Sequence, residues 1–425
     1  MKLFYDLSVQ DLPPIFEESL PAITSLLHTY LTYDNALLHS NDDTEAGPLE
    51  FVKSSIFEIL TLYVQKYDED FAPFVENFVG SSWIFLSTVG LETKYDILVS
   101  KALQFLTAVA RIKEHAQAFN DEGTTSQVVD KVIIPNLTLR DSDIELFEDE
   151  PIEFIRRDLE GSDSESRRRA GTDFLRQLIA QFQQLVASIV FRYIDHFLSD
   201  YQRDQKANWR SKDTAIYLFS SIAIKGTVTT SQGAISTNDF VNVIDFFEKH
   251  VAQDLTSEAA VEPILRVNAI KYLYLFRSQI SPAQWQIAFP ILVKHLASPE
   301  YVVYSYSAMC LERVMALRNT NNEAVISQSS IQGLSGQLLE HLFYLIEKDP
   351  DAAKLQENEY LMRCVMRLLI VIREGSLPLL DQVLRHLINI TELICPNPSN
   401  PRFDYYHFEA IGALTRLAFA LPLLR

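Results

Sequence analysis

Cysteine is scarce in this sequence, and its few cysteines lie far apart. The 425 residues include three, Cys310, Cys364 and Cys395, and no two of them form a Cys-x-x-Cys pair. This spacing indicates neither a disulfide framework nor a zinc site, and it fits a reducing compartment. Cys310 and Cys364 stand among apolar neighbours, so we expect both to be buried and unreactive.

Glycine, proline and long apolar runs are also scarce. The chain has 12 glycines and 17 prolines, which argues against a low-complexity or turn-rich β protein, while 48% of its residues are hydrophobic. The longest uninterrupted apolar run, Leu368 to Ile372, is far shorter than the roughly 20 residues that cross a bilayer. We therefore expect a helical core and no insertion into a membrane.

Basic residues are too few to balance the acids. The chain has 37 Lys and Arg against 56 Asp and Glu, a net charge of −19. Because affinity for nucleic acids depends on Lys and Arg that displace counterions from phosphates, the composition disfavours a nucleic-acid partner. A basic protein surface is the natural complement.

Recognisable catalytic patterns are missing too. The nine histidines never form His-Glu-x-x-His, and neither a Gly-x-Ser-x-Gly elbow nor a phosphate-binding glycine pattern occurs. The adjacent acids Glu148, Asp149 and Glu150 diverge in direction and have no histidine nearby in sequence to complete a ligand set. We expect neither an enzyme nor a bound cofactor.

Apolar residues recur at helical spacing along the whole chain, and no segment competes as a strand. The prolines of Ser281-Pro282 and Ser298-Pro299 mark helix starts. The pattern predicts helices over 69–89, 94–112, 123–136, 164–182, 183–203, 208–225, 238–252, 261–278, 281–297, 300–317, 330–347, 357–374, 376–394 and 402–421.

The predicted helices alternate as hairpins with a regular period. Most second helices begin roughly 40–57 residues apart, close to the period of HEAT and armadillo repeats, and one larger step of roughly 70 residues contains 137–169. We interpret 1–425 as a single all-α HEAT-repeat array, a superhelical solenoid of about eight hairpins. The segment 137–169 is then an insertion within one repeat.

This insertion is strongly acidic at its start and basic at its end. A concentrated negative surface suits a basic ligand, and the alternative is a solvated, partly disordered loop. Seven acids fall within thirteen residues: Asp141, Asp143, Glu145, Glu148, Asp149, Glu150 and Glu153. Arginines follow at Arg156 and Arg157 and at Arg167, Arg168 and Arg169.

The segment FEDEPIEFIRRDLEGSDSESRRRA at 147–170 resembles a signature of the importin-β (karyopherin) superfamily and is most similar to CAS-type exportins. Further matches in the same order cover essentially the whole chain. They are KLFYDLSVQDLPPIFE at 2–17, QKYDEDF at 65–71, KYDILVSKALQFL at 94–106, NWRSKDTAIYL at 208–218, NEYLMRCVMR at 358–367 and NPSNPRFDYYHFEAI at 397–411.

The resemblance implies a non-enzymatic receptor that shuttles between nucleus and cytoplasm and binds Ran-GTP and importin-α together, and it admits FG-repeat proteins of the nuclear pore as further partners. It implies that the chain corresponds to the middle of a karyopherin more than twice as long. The insertion would contact both partners and act as a hinge. The implied contact residues are the seven acids named above with Arg156, Arg157, Asp158 and Glu160, and the hinge or latch is Gly161, Arg167, Arg168 and Arg169.

Two other functions are alternatives to this one. A static HEAT-repeat scaffold would bind partners without sensing a nucleotide, and a hidden hydrolase or metalloenzyme would need a constellation that the sequence lacks. For the receptor we predict that Arg156, Arg157 and the three arginines at 167–169 partly neutralise the acidic run until a basic partner replaces them.

Overall fold

The structure, a computed structural model, describes residues 1–160, 166–257 and 261–420, without the side chains of 159, 160, 227 and 417–420. The chain divides into two units, Met1–Ile222 and Ala223–Arg425. In the described ranges, no helix is both long enough and apolar enough to cross a membrane.

Unit 1 consists of helices. They are α1 Lys2–Gln10, α2 Pro14–Glu18, α3 Leu20–Thr32, α4 Pro48–Lys66, α5 Asp68–Thr88, α6 Asp96–Arg111, α7 Lys113–Ala116, α8 Glu122–Val128, α9 Ile134–Leu137, α10 Asp141–Asp149, α11 Pro151–Glu160, α12 Arg167–Arg203 and α13 Trp209–Ala223. A π-helical turn, Val129–Ile133, joins α8 to α9, and 3₁₀ turns occupy Ala36–Leu38, Thr93–Tyr95 and Gln117–Phe119.

The start and the buried face of α4 show why these segments are helical. Pro48 takes the first position, where a missing N–H is harmless, and the Glu50 carboxylate accepts from the Gly47 N–H at 2.8 Å. Ile56 and Leu60, one turn apart, are fully buried. Helices α4, α6 and α12 pack side by side and form the core of unit 1.

Helix α12 changes direction at one residue. Phe182 has non-helical backbone angles (φ −131°, ψ 54°), so α12 consists of two helices that meet there. The sequence pattern predicts separate helices over 164–182 and 183–203, and this boundary is confirmed.

Unit 2 contains two strands and a further set of helices. The strands are β1 Ile224–Thr229 and β2 Gly233–Thr237. The helices are α14 Val243–Phe246, α15 Ala252–Thr256, α16 Pro263–Leu275, α17 Pro282–His295, α18 Tyr301–Ala316, α19 Gln328–Gln332, α20 Ser335–Ile346, α21 Ala352–Gln356, α22 Glu359–Ile372, α23 Leu380–Ile394 and α24 Pro401–Ala420, with a π-helical turn at Phe247–Val251 and a 3₁₀ segment at Arg373–Leu379.

Two layers of helices build the core of unit 2. Helices α16, α18, α22 and α24 pack each against the next, and α17, α20 and α23 pack on α18, α22 and α24 respectively. The helices predicted over 281–297 and 300–317 are confirmed as α17 and α18. Large side chains such as Trp285 and Phe343 are almost fully buried in this core.

The antiparallel pair of β1 and β2 is not predicted by the sequence pattern. The helix expected over 208–225 ends at Ala223, and the prediction that no segment forms a strand is wrong for these residues. Both strands are rich in β-branched residues, which favour an extended backbone.

A glycine and an arginine hold this β-hairpin against the end of α16. Gly233 has a φ of +78°, and a Cβ there would lie 2.3 Å from the carbonyl oxygen of Leu275, so the turn requires glycine. The guanidinium of Arg277, only 1% exposed, donates to the carbonyl oxygens of Thr229 at 3.3 Å and Thr230 at 2.8 Å. These bonds give the carbonyls of the turn a partner.

The cysteines give a first testable prediction. Cys310 and Cys364 are fully buried, as predicted, whereas Cys395 is exposed. Burial raises the pKa of the Cys310 thiol to about 12, so its reactive thiolate form is rare at neutral pH. We expect a thiol reagent to label Cys395 at once and the other two only after unfolding, which time-resolved labelling with mass spectrometry measures. Fast labelling of Cys310 or Cys364 in the folded chain would contradict the packing described.

Candidate functional site

The acidic stretch forms two helices, α10 and α11, called here the acidic helices (141–160). Pro151 stands at the first position of α11, where proline is tolerated. The rings of Phe147 and Phe154 meet at right angles with centroids 5.2 Å apart, and both Phe147 and Ile155 are buried. These apolar side chains are packed away from solvent, which stabilises the two helices. The interpretation as a solvated loop is therefore wrong for 141–160.

The acidic helices expose most of their carboxylates, as the sequence predicted. Asp143 and Glu153 are half-buried instead, and the side chain of Glu160 and residue Gly161 lie outside the described part of the chain. A local concentration of exposed carboxylates attracts basic surfaces. The exposed acids are Asp141, Glu145, Glu148, Asp149, Glu150 and Asp158.

Arg140 fixes the start of the acidic helices. Its guanidinium donates to both carboxylate oxygens of Asp96, at 2.7 and 3.1 Å, and to Asp143 at 3.1 Å. Burial alone would raise the pKa of the Asp143 carboxyl, but the bonds from Arg140 hold that pKa below its ordinary value of 3.8. The stability gained from Asp143 is therefore present at neutral pH and is lost as the pH falls through the lowered pKa.

Arg167, the first residue of α12, fixes the far end of the insertion to the same carboxylate. Its side chain is 4% exposed, and its Nε donates to Asp96 at 2.6 Å. Its two Nη atoms donate to the carbonyl oxygens of Gly90 at 3.0 Å and Glu92 at 2.9 Å. Asp96 thus binds Arg140 and Arg167, which flank the acidic helices, and we call these three residues the clamp.

Of the three clamp residues, the sequence indicates only Arg167 as a site residue. Asp96 and Arg140 were not predicted as site residues at all, because Asp96 precedes its two partners by 44 and 71 residues. No helical or strand period links positions so far apart. The one local signal is that Arg140 stands directly before the acidic run.

The arginines at the start of α12 form their ion pairs away from the acidic helices. Arg168 donates to buried Asp213 at 2.7 Å, and Arg169 pairs with Asp173 of its own helix at 3.4 Å. Among the described residues these three arginines therefore form no direct ion pair with the acidic run, although the charge of Arg168 helps to hold the pKa of Asp143 below its ordinary value. Because Arg167 and Arg168 are largely enclosed, they need enclosed carboxylates, which the exposed acids do not provide.

Within the acidic helices, one of the predicted ion pairs forms. Arg157 lies 3.0 Å from Glu153, one turn earlier in α11. Arg156 is exposed and pairs with no acid in the described ranges, so its predicted pairing is wrong. Arg210 of α13 approaches Asp141 to 2.5 Å. Exposed pairs of this kind contribute at most about 1 kcal/mol, so basic groups of a partner could replace them.

A cavity of about 570 Å³ opens beside the clamp. Leu91, Thr93 and Leu139 supply apolar wall, and the guanidiniums of Arg140 and Arg210 supply charge. Such a combination suits a side chain with an apolar stem and a polar end. The exposed acid Asp141 belongs to the cavity lining, so the cavity opens directly beside the acidic helices.

The fold is a helical-repeat fold of the kind found in the karyopherin Kap121p. Over 95% of its length the protein matches 34% of the chain of a Kap121p mutant with a TM-score of 0.58 at 16% identity, a likeness that shows the fold alone. The predicted all-α HEAT-repeat fold class is confirmed, with the β-hairpin as a local addition.

The chain belongs to the Cse1 family. The family model described as Cse1 matches residues 1–311, and the model described as CAS/CSE protein, C-terminus, matches residues 312–421. The resemblance to CAS-type exportins stated above is thereby confirmed.

Named relatives are similar along almost the whole chain. The protein named Importin alpha re-exporter from Saccharomyces cerevisiae is 44% identical over 97% of this chain and 43% of its own length. Exportin-2 from Homo sapiens is 39% identical over 98% of this chain and 42% of its own length. The structure titled "The exportin Cse1 in its cargo-free, cytoplasmic state" matches 98% of this chain and 44% of its own with a TM-score of 0.89 at 43% identity. The chain therefore spans less than half the length of these relatives.

Proposed function

We propose that this chain is part of a nuclear export receptor that binds importin-α together with Ran-GTP and returns importin-α to the cytoplasm. The observation that carries the proposal is the 44% identity to the protein named Importin alpha re-exporter, over 97% of this chain. Because the chain spans 43% of that relative, the proposal concerns its share of the receptor's binding surface. Its work is binding, and the free energy for directional transport comes from the partner's GTP cycle.

The acidic helices are the surface that we assign to a basic region of the partners. Their exposed carboxylates attract Lys and Arg, and Arg140 of the clamp anchors the start of α10, so little ordering is needed there on binding. Two partners bind cooperatively when both stabilise the same arrangement of the receptor, a coupling of about 1–3 kcal/mol. Bending at the insertion as a hinge would require the clamp to open, because Arg167 is buried within it.

A shuttling receptor would also pass through nuclear pores, and we include FG-repeat proteins among its partners. An apolar cavity of about 270 Å³ lies between α5 and α8, lined by Trp83, Phe119 and Val128. The cavity is open at Gly80 on its rim, because a Cβ added to this residue would meet no atom within 4 Å. This cavity can accept an aromatic side chain such as phenylalanine.

Binding in the presence of each nucleotide tests the proposal. The chain is immobilised at low salt, and importin-α is added alone, with Ran-GTP or with Ran-GDP. We expect Ran-GTP to increase the affinity for importin-α by at least about fivefold, the low end of ordinary coupling, and Ran-GDP to have no effect. We also expect the affinity to fall as salt is raised.

Equal binding of importin-α under all three conditions would instead identify a static scaffold. A longer family member serves as the positive control, since it supplies surface that this chain does not share. The contrary result is that Ran-GTP increases the affinity of the longer protein for importin-α without changing the affinity of this chain. In that case the proposal that this chain carries part of the binding surface is wrong.

A further inference from the structure

Three arginines of unit 2 surround one buried carboxylate. Glu312 of α18 is 1% exposed. The Nε atoms of Arg313 and Arg363 lie 3.4 Å from one of its oxygens, and the Nε atom of Arg367 lies 3.1 Å from the other. One carboxylate thus faces three guanidiniums, which leaves two positive charges uncompensated within the group. We call Arg313, Arg363 and Arg367 the arginine cluster.

The outer ends of these guanidiniums remain available. All three approach Glu312 through Nε, and among the described residues the cluster donates one hydrogen bond, from Arg367 Nε to Glu312. Their side chains are 18, 25 and 28% exposed in chain order, so solvent reaches them while packing restricts their movement. Arg363 also lies 5.4 Å from the ring centre of Tyr406, which limits its conformations further.

The layer that carries the cluster is basic in an acidic chain. Helices α16, α18, α22 and α24 pack each against the next. Together they carry seven Lys and Arg and four Asp and Glu, whereas the whole chain has 37 and 56. The basic residues are Arg266, Lys271, Arg313, Arg363, Arg367, Arg402 and Arg416.

We propose that the arginine cluster is a docking site for an acidic segment of a partner protein, a run of Asp and Glu residues. Guanidiniums held in place with open Nη groups match the two oxygens of a carboxylate. A purely structural group would need one or two arginines to neutralise Glu312, and the third adds charge without further compensation. A nucleic acid fits less well, because a long phosphate backbone needs many basic groups along its length and the chain has only 37 Lys and Arg against 56 Asp and Glu, whereas a short acidic segment needs only the local cluster. This proposal does not rest on the nuclear-transport function.

The test uses fluorescein-labelled deca-glutamate and the whole chain, with binding measured by fluorescence anisotropy at low salt. We expect binding that weakens as salt is raised. Arg313→Gln and Arg363→Gln should each reduce the affinity by about fivefold or more, because arginines at the centre of an interface carry much of its energy. Arg385→Gln removes an exposed arginine of α23, on the other helix layer of unit 2, and should leave the affinity unchanged.

A further variant should change the affinity for deca-glutamate in the opposite direction. Glu312→Gln removes the carboxylate that competes for the three guanidiniums, so it should strengthen the binding of deca-glutamate. A merely structural role for the arginines predicts no gain. Circular dichroism checks that each variant is folded, and if Arg363→Gln unfolds, Arg313→Gln and Glu312→Gln still decide the question.

Three results would overturn the proposal. They are no binding of deca-glutamate to the wild-type chain, equal loss in Arg385→Gln and the cluster variants, and tighter binding of a single-stranded oligonucleotide than of deca-glutamate.

Discussion

Reversing Glu145, Glu148, Asp149 and Glu150 to lysine should weaken assembly with importin-α and Ran-GTP by about a hundredfold at low salt. Each reversal replaces an attraction with a repulsion, and exposed charge pairs contribute up to about 1 kcal/mol each, so four reversals reach roughly 3 kcal/mol. All four side chains are exposed, so the fold should survive the change. Isothermal titration calorimetry measures the affinity, and circular dichroism checks the fold.

A matched control separates this local effect from a change in net charge. Reversing Glu17, Glu18, Glu69 and Glu76 alters the net charge equally, and these exposed acids lie on α2 and α5, away in sequence from the insertion. Screening limits their influence to roughly 10 Å at moderate salt, so we expect little loss of affinity. If the variant of the acidic helices is folded and assembles as tightly as wild type, the segment is only a linker.

Asp96→Asn should destabilise unit 1 by about 3 kcal/mol, because it leaves the buried guanidinium of Arg167 and the enclosed guanidinium of Arg140 without their shared carboxylate. The loss should be concentrated at the insertion. We expect faster hydrogen exchange in α10, α11 and the first turn of α12, with little change in α13. Urea denaturation measures the free energy of unfolding, and hydrogen exchange with mass spectrometry locates the change.

Asp173→Asn is the matched control for the clamp. Asp173 pairs with Arg169 at 3.4 Å and, at the longer distance of 3.9 Å, with Arg176. Asp173 itself is about half exposed (46%), so the expected loss is about 1 kcal/mol or less. Equal destabilisation by the two substitutions, or an unchanged exchange rate at 141–160 in Asp96→Asn, would show that the clamp does not hold the acidic helices.

Local features of this chain could be predicted from sequence because they depend on neighbours. The boundary at Phe182 and the burial of Cys310 follow from apolar spacing, and the start of α17 follows from its cap at Ser281 with a proline at the first position. The exposure of Glu148 and its neighbours follows in the same way, since a run of like charges avoids a core. The cap expected at Ser298 does not form, because α18 begins at Tyr301 with Glu300 as its N-cap.

Features that depend on distant residues could not be predicted in this way. The clamp joins Asp96 to Arg167 across 71 residues, and the cluster joins Glu312 to Arg367 across 55, so no local period marks either. The identity of the acids that bind Arg167 and Arg168 depends on which carboxylates share their enclosed surroundings, which only the folded chain specifies. The β-hairpin differs, because its β-branched residues are a local signal. The sequence pattern predicts helices over 208–225 and 238–252 and assigns no element to 226–237, where most of the hairpin lies.

Contact between the acidic helices and the partners can be measured by hydrogen exchange of 141–160, compared between the free chain and the chain with importin-α and Ran-GTP. If the acidic helices are the contact surface, α10 and α11 should exchange more slowly in the complex, and the protection should be lost when salt is raised. Assembly that leaves exchange at 141–160 unchanged, or no assembly at all, would contradict the proposed contact.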